Sequence, residues 1–125
     1  MRLLLDSHAF LWAITQPSQL AAAARRAIEE TENECFVSIA SLWEMAIKSS
    51  RGKLSLPSNY SDGIEHLGAA LLPITIGHVR RVQMLPFHHR DPFDRMLIAQ
   101  AMEEGLMLMS RDRHVKLYGV PVLQA

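Results

Sequence analysis

Five acidic residues occupy positions from which their side chains could hold a cation: Asp6, Glu44, Asp91, Asp94 and Asp112. Carboxylate oxygens are the hard ligands that Mg²⁺ and Mn²⁺ prefer. Two such cations about 4 Å apart can activate a water molecule and stabilise a leaving oxygen. Because carboxylates that share a site repel one another, a cluster of these residues would require a cation.

Each acid also has a purely structural explanation. Helix capping accounts for four of them, namely Asp6, Asp91, Asp94 and Asp112, and the Asp91–Asp94 spacing resembles a capping box. Glu44 precedes Lys48 by four residues, so the two side chains could form an ion pair on one helix. Lys48 could instead orient Glu44 towards a metal or contact a phosphate. Ser110 could position water or metal, or satisfy a loop amide. These alternatives remain open from the residues alone.

The other residue types give no competing catalytic pattern. The six histidines do not form an H-E-x-x-H or a Cys/His zinc spacing. His88 and His89 could be ligands or RNA contacts, but we expect them to be exposed loop residues. The single cysteine, Cys35, lies in an apolar run and is predicted to be buried. No G-x-S-x-G, P-loop or G-x-G-x-x-G motif occurs, which argues against hydrolase triads, NTPases and dinucleotide binding.

Short apolar runs alternate with segments of helical period, and this alternation predicts a parallel sheet with helices on both faces. The predicted strands are residues 3–5, 35–38, 71–75, 106–109 and 120–123. The predicted helices are residues 7–14, 19–31, 40–50, 77–85 and 92–104, with a further helix opening at Pro57. Ser18 is predicted to cap the second helix, and Pro73 suggests that the third strand is an edge.

The predicted strand ends coincide with the polar residues. Asp6 directly follows the first strand, and Ser110 and Asp112 follow the fourth. Ligands of open parallel sheets bind at the carboxyl ends of the strands, near a switch in strand order. We therefore expect a site at this edge of the sheet.

Length and composition favour one globular domain spanning residues 1–125, with 49% hydrophobic residues. The Met1 end lacks the apolar run of a secretory signal, and no stretch approaches the roughly 20 apolar residues of a membrane span. A lone cysteine forms no disulfide framework and suits a reducing compartment. We expect a soluble, cytoplasmic protein.

The formal net charge is zero, from 13 basic and 13 acidic residues. If the five acids above converge, eight acidic residues remain against 13 basic ones on the rest of the surface. Much of that basic charge lies in the second half of the chain. A basic rim around an acidic pit would suit a nucleic acid, and the residues expected to contact it are Arg95, Arg111 and Arg113.

Several segments together resemble the PIN-domain family and, more narrowly, the VapC-type toxins of bacterial toxin–antitoxin pairs. They are Leu-Leu-Leu-Asp-Ser-His-Ala-Phe-Leu-Trp at 3–12, Ser-Leu-Trp-Glu-Met-Ala-Ile-Lys at 41–48, Gly-Lys-Leu-Ser-Leu-Pro at 52–57, Arg-Asp-Pro-Phe-Asp-Arg-Met-Leu-Ile-Ala-Gln-Ala at 90–101 and Ser-Arg-Asp at 110–112. The first and fourth segments are highly specific, whereas Ser-Arg-Asp is weak by itself. The resemblance covers essentially the whole chain.

The resemblance implies an α/β/α domain whose central parallel sheet has five strands in the order 3-2-1-4-5. It also implies a catalytic and metal-binding quartet, Asp6, Glu44, Asp94 and Asp112, with Asp91, Ser110 and Lys48 as accessory residues. The implied activity is that of a Mg²⁺- or Mn²⁺-dependent endoribonuclease that hydrolyses an RNA, such as tRNA, without a covalent enzyme intermediate. The implied partners are a small inhibitory antitoxin and a second copy of the chain.

Two other classes of function compete with this interpretation. A phosphatase or nucleotide hydrolase could use the same acids, and a non-enzymatic binding module would use them only as helix caps. DNA is also an open substrate, because no residue pattern reads a 2′-hydroxyl. The number of cations, one or two, is left open by the sequence.

Overall fold

The computed structural model describes residues 1–125 and contains five strands and six α-helices. The strands are β1 (Arg2–Leu5), β2 (Glu34–Ser38), β3 (Ala70–Leu72), β4 (Met107–Ser110) and β5 (Val122–Gln124). The helices are α1 (Ser7–Thr15), α2 (Ala22–Glu29), α3 (Ile39–Ser50), α4 (Asp62–His66), α5 (Ile76–Met84) and α6 (Pro92–Glu104). Short 3₁₀ turns cover Pro17–Gln19 and Val115–Tyr118.

All five strands are parallel, and their order is β3-β2-β1-β4-β5. The chain leaves β1 towards β2 on one side and later returns to β4 on the other, so the strand order switches between β1 and β4. The backbone N–H of Asp6 donates to the carbonyl of Met109 at 3.1 Å and continues the β1–β4 ladder to this edge. The crevice at such a switch is where ligands of open α/β sheets bind.

Alternating side chains of the strands build two separate cores. Leu3 and Leu5 of β1 face a core beneath α1 and α2, whereas Leu4 between them faces a core beneath α6. This alternation follows from the two-residue period of a strand, and burial on both faces is typical of parallel sheets. Helix α3 contributes Met45 to the first core and Ala40 to the second. The three-layer α/β/α architecture and the parallel five-stranded sheet are thus confirmed.

Helix α6 matches its predicted bounds because both ends carry strong signals. Asp91 caps the first turn, Pro92 occupies the first helical position, and Gly105 ends the helix with a φ of 65° in the left-handed region. Strand β3 is shorter than predicted and stops before Pro73, and it lies at the sheet edge as expected.

Two predicted helix starts were wrong. Ser18 lies within a 3₁₀ turn and makes no capping hydrogen bond, and the second helix begins only at Ala22. Pro57 does not open a helix, because its carbonyl accepts from the Tyr60 N–H in a turn, and only the short α4 follows. No helix of the protein combines the length and the apolar character that crossing a bilayer requires.

Candidate active site

The five acids converge on one pit at the carboxyl ends of β1 and β4. The pit is lined only by polar side chains, which are those of Asp6, Ser7, His8, Glu44, Lys48, Asp91, Asp94, Arg111 and Asp112. They come from four places that are distant in the sequence, namely the start of α1, the middle of α3, the start of α6 and the loop after β4. The parallel sheet brings these places together.

Asp6 is both a helix cap and a member of the pit. Its carboxylate accepts from the backbone N–H of Ala9 at 2.8 Å, which confirms the predicted cap of α1. The residue is only 7% exposed. Burial raises the pKa of Asp6 above its usual value, and hydrogen bonds from Ala9 and the Ser110 hydroxyl oppose this rise only in part. The Ala9 N–H therefore holds the Asp6 carboxylate in a buried position that disfavours its ionised form.

Glu44 is held by two side chains at the middle of α3. The Ser7 hydroxyl donates to its Oε1 at 2.5 Å, and the Lys48 ammonium donates to its Oε2 at 2.9 Å. The predicted i,i+4 pair is thus present, and the hydrogen bond that Lys48 donates to Glu44 raises the pKa of Lys48. Glu44 is buried while Lys48 reaches solvent. The pair fixes the orientation of the glutamate and leaves other lone pairs open towards the pit.

The predicted capping box at the start of α6 is only half formed. The Asp91 carboxylate accepts from the N–H groups of Phe93 at 2.8 Å and Asp94 at 3.2 Å, as a cap does. The Asp94 carboxylate does not return the bond, because the Asp91 N–H donates to the Nδ1 of His89 instead. Capping hydrogen bonds therefore explain Asp91 but do not involve the Asp94 carboxylate.

Asp94 is partly buried and is repelled by the charges of three neighbouring acids. Burial, followed by the charge of Asp91, raises the pKa of Asp94 to about 7, and Glu44 and Asp6 add to the rise. A carboxylate whose ionised form is disfavoured in this way is a frequent mark of a functional site. A bound cation would remove the repulsion that raises this pKa.

Asp112 occupies the loop after β4 and is fixed by hydrogen bonds. Its Oδ1 accepts from the His114 N–H at 2.8 Å, and its own N–H donates to the Ser110 hydroxyl at 3.0 Å. Burial acts to raise the pKa of Asp112, but hydrogen bonds from His114 and His89 outweigh it and hold that pKa below its usual value. Asp112 thus remains ionised beside acids whose ionised forms are disfavoured.

His89 was not expected at the site, and the prediction that it is an exposed loop residue was wrong. Its side chain is 13% exposed, and its Nε2 lies 2.6 Å from Asp112 Oδ2 and 3.0 Å from Asp94 Oδ2. His88 is exposed, as predicted. The sequence His88-His89-Arg90-Asp91 does not indicate which of the two rings turns towards the pit.

Arg95 does not reach the pit, which contradicts the expectation that it contacts a substrate. It is 6% exposed, and its guanidinium donates to the carbonyls of Pro86 at 2.8 Å and Leu85 at 3.3 Å. The ring of Phe87 lies 4.2 Å from its central carbon. These contacts occupy the side chain that would otherwise meet a phosphate, and Arg95 holds the loop before α6 instead.

The two other arginines differ in position. Arg111 lines the pit and is anchored beside it, since its Nε donates to the backbone oxygen of Ala125 at 2.7 Å and its guanidinium stacks over the ring of Trp12. Arg113 is exposed and lies outside the lining. His8, which the sequence analysis did not single out, also lines the pit and stacks on Trp12 at 5.5 Å.

The donor set fits a hard divalent cation. Five carboxylates face two cationic side chains, Lys48 and Arg111, so the pit carries an excess of negative charge. Oxygen donors of this kind suit Mg²⁺ or Mn²⁺ and match neither the thiolates nor the imidazole sets of structural zinc sites. After burial, the charges of Asp91, Glu44 and Asp6 contribute to the raised pKa of Asp94.

Comparison with known proteins agrees with this geometry. The PIN domain family model matches residues 3–120. The chain is similar to Ribonuclease VapC22 of Mycobacterium tuberculosis, with 29% identity, covering 94% of this chain and 92% of that protein. It shares its fold with VapBC2 from Rickettsia felis bound to a promoter DNA fragment, at a TM-score of 0.71 and 12% identity over 98% of each chain. The FitAcB complex from Neisseria gonorrhoeae has a TM-score of 0.61 and 16% identity, covering 98% of this chain and 96% of that one. The chain belongs to the PIN-domain family.

Proposed function

We propose that the protein is a Mg²⁺- or Mn²⁺-dependent endoribonuclease that hydrolyses RNA phosphodiester bonds. The observation that carries the proposal is the convergence of Asp6, Glu44, Asp94 and Asp112 in one polar pit, with an Asp94 that no capping bond explains. The likeness to a curated ribonuclease over nearly the whole chain supports RNA as the substrate. A pure capping role of the acids would not require their charges to face one another.

The four acids would hold the cation, with Asp91 as an accessory ligand at the rim. When bound, one or two such cations would activate a water molecule and offset the charge on the scissile phosphate. The chain itself supplies orientation. The side chains of Ser7 and Lys48 fix both oxygens of Glu44, the Ala9 N–H fixes Asp6, and the His114 N–H fixes Asp112.

Two cationic side chains are placed to bind the RNA backbone. An ammonium has three donors, and Lys48 uses one of them for Glu44 while its side chain is 43% exposed. Arg111 also lines the pit, and its Nε donates to the backbone oxygen of Ala125. We assign phosphate binding to Lys48 and Arg111 rather than to Arg95, and Arg113, which is exposed outside the pit lining, is a further candidate.

The proposed biological role is that of the toxin in a VapBC-type toxin–antitoxin pair, acting in the cytoplasm on an RNA such as tRNA. The similarity to VapBC2 of Rickettsia felis and to a toxin–antitoxin complex from Klebsiella pneumoniae supports this role. We expect the protein to form a homodimer and to be inhibited by a small partner that inserts a basic side chain among the acids.

The activity is tested by incubating purified protein with labelled RNA in Mn²⁺, in Mg²⁺ and in EDTA. We expect cleavage with either cation and none in EDTA. Asp6→Asn should abolish cleavage because it removes a charge that would hold the cation. The fold should survive, because Asn caps a helix nearly as well as Asp. Asp62→Asn on the exposed α4 is the matched control and should cleave normally. Full cleavage in EDTA would exclude the metal mechanism.

The same experiment separates the competing functions. Hydrolysis of mononucleotides without RNA cleavage would indicate a nucleotide hydrolase, and equal cleavage of DNA would remove the RNA assignment. The absence of both cation binding and hydrolysis would indicate a binding module. The partner is tested by searching the neighbouring reading frames for a small antitoxin-like protein and co-expressing it with this chain. It should co-purify and block cleavage.

A further inference from the structure

The imidazole of His89 has a fixed tautomer in the pit. The backbone N–H of Asp91 donates to its Nδ1 at 3.1 Å, so Nδ1 must accept and Nε2 must carry the proton. That Nε2–H points at Asp112 Oδ2, 2.6 Å away, with Asp94 Oδ2 at 3.0 Å. The Nε2–H group therefore hydrogen-bonds Asp112 in the loop after β4, and the same nitrogen contacts Asp94 at the start of α6.

The loop that carries His89 is locked from both sides. The His89 N–H donates to the Tyr118 hydroxyl at 2.9 Å, and that hydroxyl donates to the Pro86 carbonyl at 2.8 Å. The buried Arg95 donates to the same Pro86 carbonyl and to the His89 carbonyl. A backbone fixed at this many points defines where the ring lies, so these contacts do not depend on a mobile loop.

We propose that His89 is a positioning residue of the cation site, whose Nε2–H holds Asp112 by a hydrogen bond and offsets its repulsion with the neighbouring Asp94. The two carboxylates repel when both are ionised, and the positive end of the ring N–H dipole lies close to one oxygen of each, while the lone pairs that the ring does not meet stay available. Carboxylates that ligate metals are commonly hydrogen-bonded in this way, and loss of such partners typically lowers metal affinity or activity by about 10–100-fold.

A different reading of the same atoms makes His89 a metal ligand. His89, Asp112 and His114 place three donor atoms within 4.8 Å of one another, a spacing that a transition metal could bridge. Ligation through Nε2 would require the proton to move to Nδ1, where it would oppose the Asp91 N–H. The geometry therefore favours a hydrogen-bond donor over a ligand.

The inference rests on the proposed function, and its test measures cation binding separately from cleavage. Mn²⁺ binding is followed by electron paramagnetic resonance for the wild type, His89→Gln and His89→Leu, together with RNA cleavage and melting curves. His66→Gln and His66→Leu, at an exposed position of α4, are the matched controls. We expect His89→Leu to bind Mn²⁺ about 10–100-fold more weakly. His89→Gln, whose amide can donate near the same place, should recover most of the affinity.

Three results would overturn the inference. The first is a His89→Leu protein that binds Mn²⁺ and cleaves RNA like the wild type. The second is equal loss in His89→Gln and His89→Leu together with lowered melting temperatures, which would indicate a packing role. The third is Zn²⁺ binding tighter than Mn²⁺ that disappears in both His89 variants, which would make the ring a ligand. A wild type that neither binds Mn²⁺ nor cleaves RNA would instead refute the proposed function itself, and with it the inference.

Discussion

A histidine that contacts both a backbone N–H and a carboxylate lies near each end of α6, and the two pairs have different electrostatic surroundings. At the C-terminal end, the Nδ1 of His78 accepts from the Thr75 N–H at 3.0 Å, and its Nε2 lies 3.0 Å from a Glu104 oxygen. At the N-terminal end, the Nδ1 of His89 accepts from the Asp91 N–H, and its Nε2 lies beside the Asp112 carboxylate. In both places a backbone N–H sets the tautomer and a carboxylate receives the ring N–H.

The surroundings separate a structural contact from a candidate active site. Glu104 is the one carboxylate that contacts the fully buried ring of His78. The Glu104 side chain is 38% exposed, so solvent screens its charge. The ring of His89 meets two carboxylates of a set of five, and the pKa of Asp94 is raised to about 7. A histidine–carboxylate pair alone therefore says little about function, and the excess of negative charge around it is the informative feature.

The largest expected effect comes from Asp94→Asn, which removes charge from the N-terminal end only. Cleavage should fall by orders of magnitude if Asp94 holds the cation. Stability without metal should hold or rise by about 1 kcal/mol, because repulsion with neighbouring acids is relieved. Activity assays and melting curves with and without Mn²⁺ check both effects. Mn²⁺ should raise the melting temperature of the wild type more than that of the variant. An active variant with an unchanged Mn²⁺ response would remove Asp94 from the site.

The pH dependence of stability should also differ between the wild type and Asp94→Asn. The unfolded chain releases the Asp94 proton near pH 4, whereas the folded protein retains it up to about pH 7. The folded state therefore binds more protons in this window, and the stability of the metal-free wild type should fall as the pH rises through it. Urea unfolding in EDTA at pH 5 and pH 8 should give the variant an advantage that grows by more than about 1 kcal/mol. A constant difference would contradict the raised pKa.

A substitution at the C-terminal end should affect folding but not chemistry. His78→Ala would leave the Thr75 N–H without its acceptor and open a cavity in a fully buried position. The expected loss is about 1–3 kcal/mol in the free energy of unfolding, mainly from the cavity left at this fully buried position. Denaturant titration measures this loss, and cleavage per folded molecule at low temperature should be unchanged. A His78→Ala protein that is stable but inactive would break the contrast between the two ends.

The smallest effect is expected from Tyr118→Phe, which removes one clamp on the His89 loop. The hydroxyl accepts from the His89 N–H and donates to the Pro86 carbonyl. Its loss should lower the free energy of unfolding by about 1 kcal/mol. Mn²⁺ affinity should fall by less than in His89→Leu, because Arg95 still donates to the carbonyls of Pro86 and His89. Paired calorimetric Mn²⁺ titrations compare the two variants. A larger loss in Tyr118→Phe than in His89→Leu would show that the loop, rather than the ring, governs the site.

Local signals explain which elements the sequence predicted well. Helix α6 starts at Asp91-Pro92 and ends at Gly105, where capping chemistry leaves few alternatives. The apparent signal at Ser18 failed because Leu20, two residues later, enters the first core with an extended backbone at a ψ of 145°. The apparent signal at Pro57 produced only a turn that is closed by the Tyr60 N–H. Helix α2 instead begins at Ala22, from which Ala24 and Ala27 reach the core.

The sequence indicated where the acids of the pit lie, but not which side chains contact and position them. Asp6 and Asp94 could be placed because they follow a strand or open a helix, and parallel strands bring such positions to one edge. The inward turn of His89 and the burial of Arg95 depend on the Tyr118 hydroxyl, which reaches this loop from a distant part of the chain. Contacts of that kind leave no periodic pattern in the sequence.

The central claim is that the acidic pit binds a divalent cation, and titration of Mn²⁺ into metal-free protein tests it most directly. Electron paramagnetic resonance at pH 8, where Asp94 is mostly ionised, would count the bound ions and give their affinity. The account predicts one or two saturable sites in the wild type and in Asp62→Asn, with binding greatly weakened in Asp94→Asn. Equal Mn²⁺ binding by all three proteins, or none by the wild type, would contradict it.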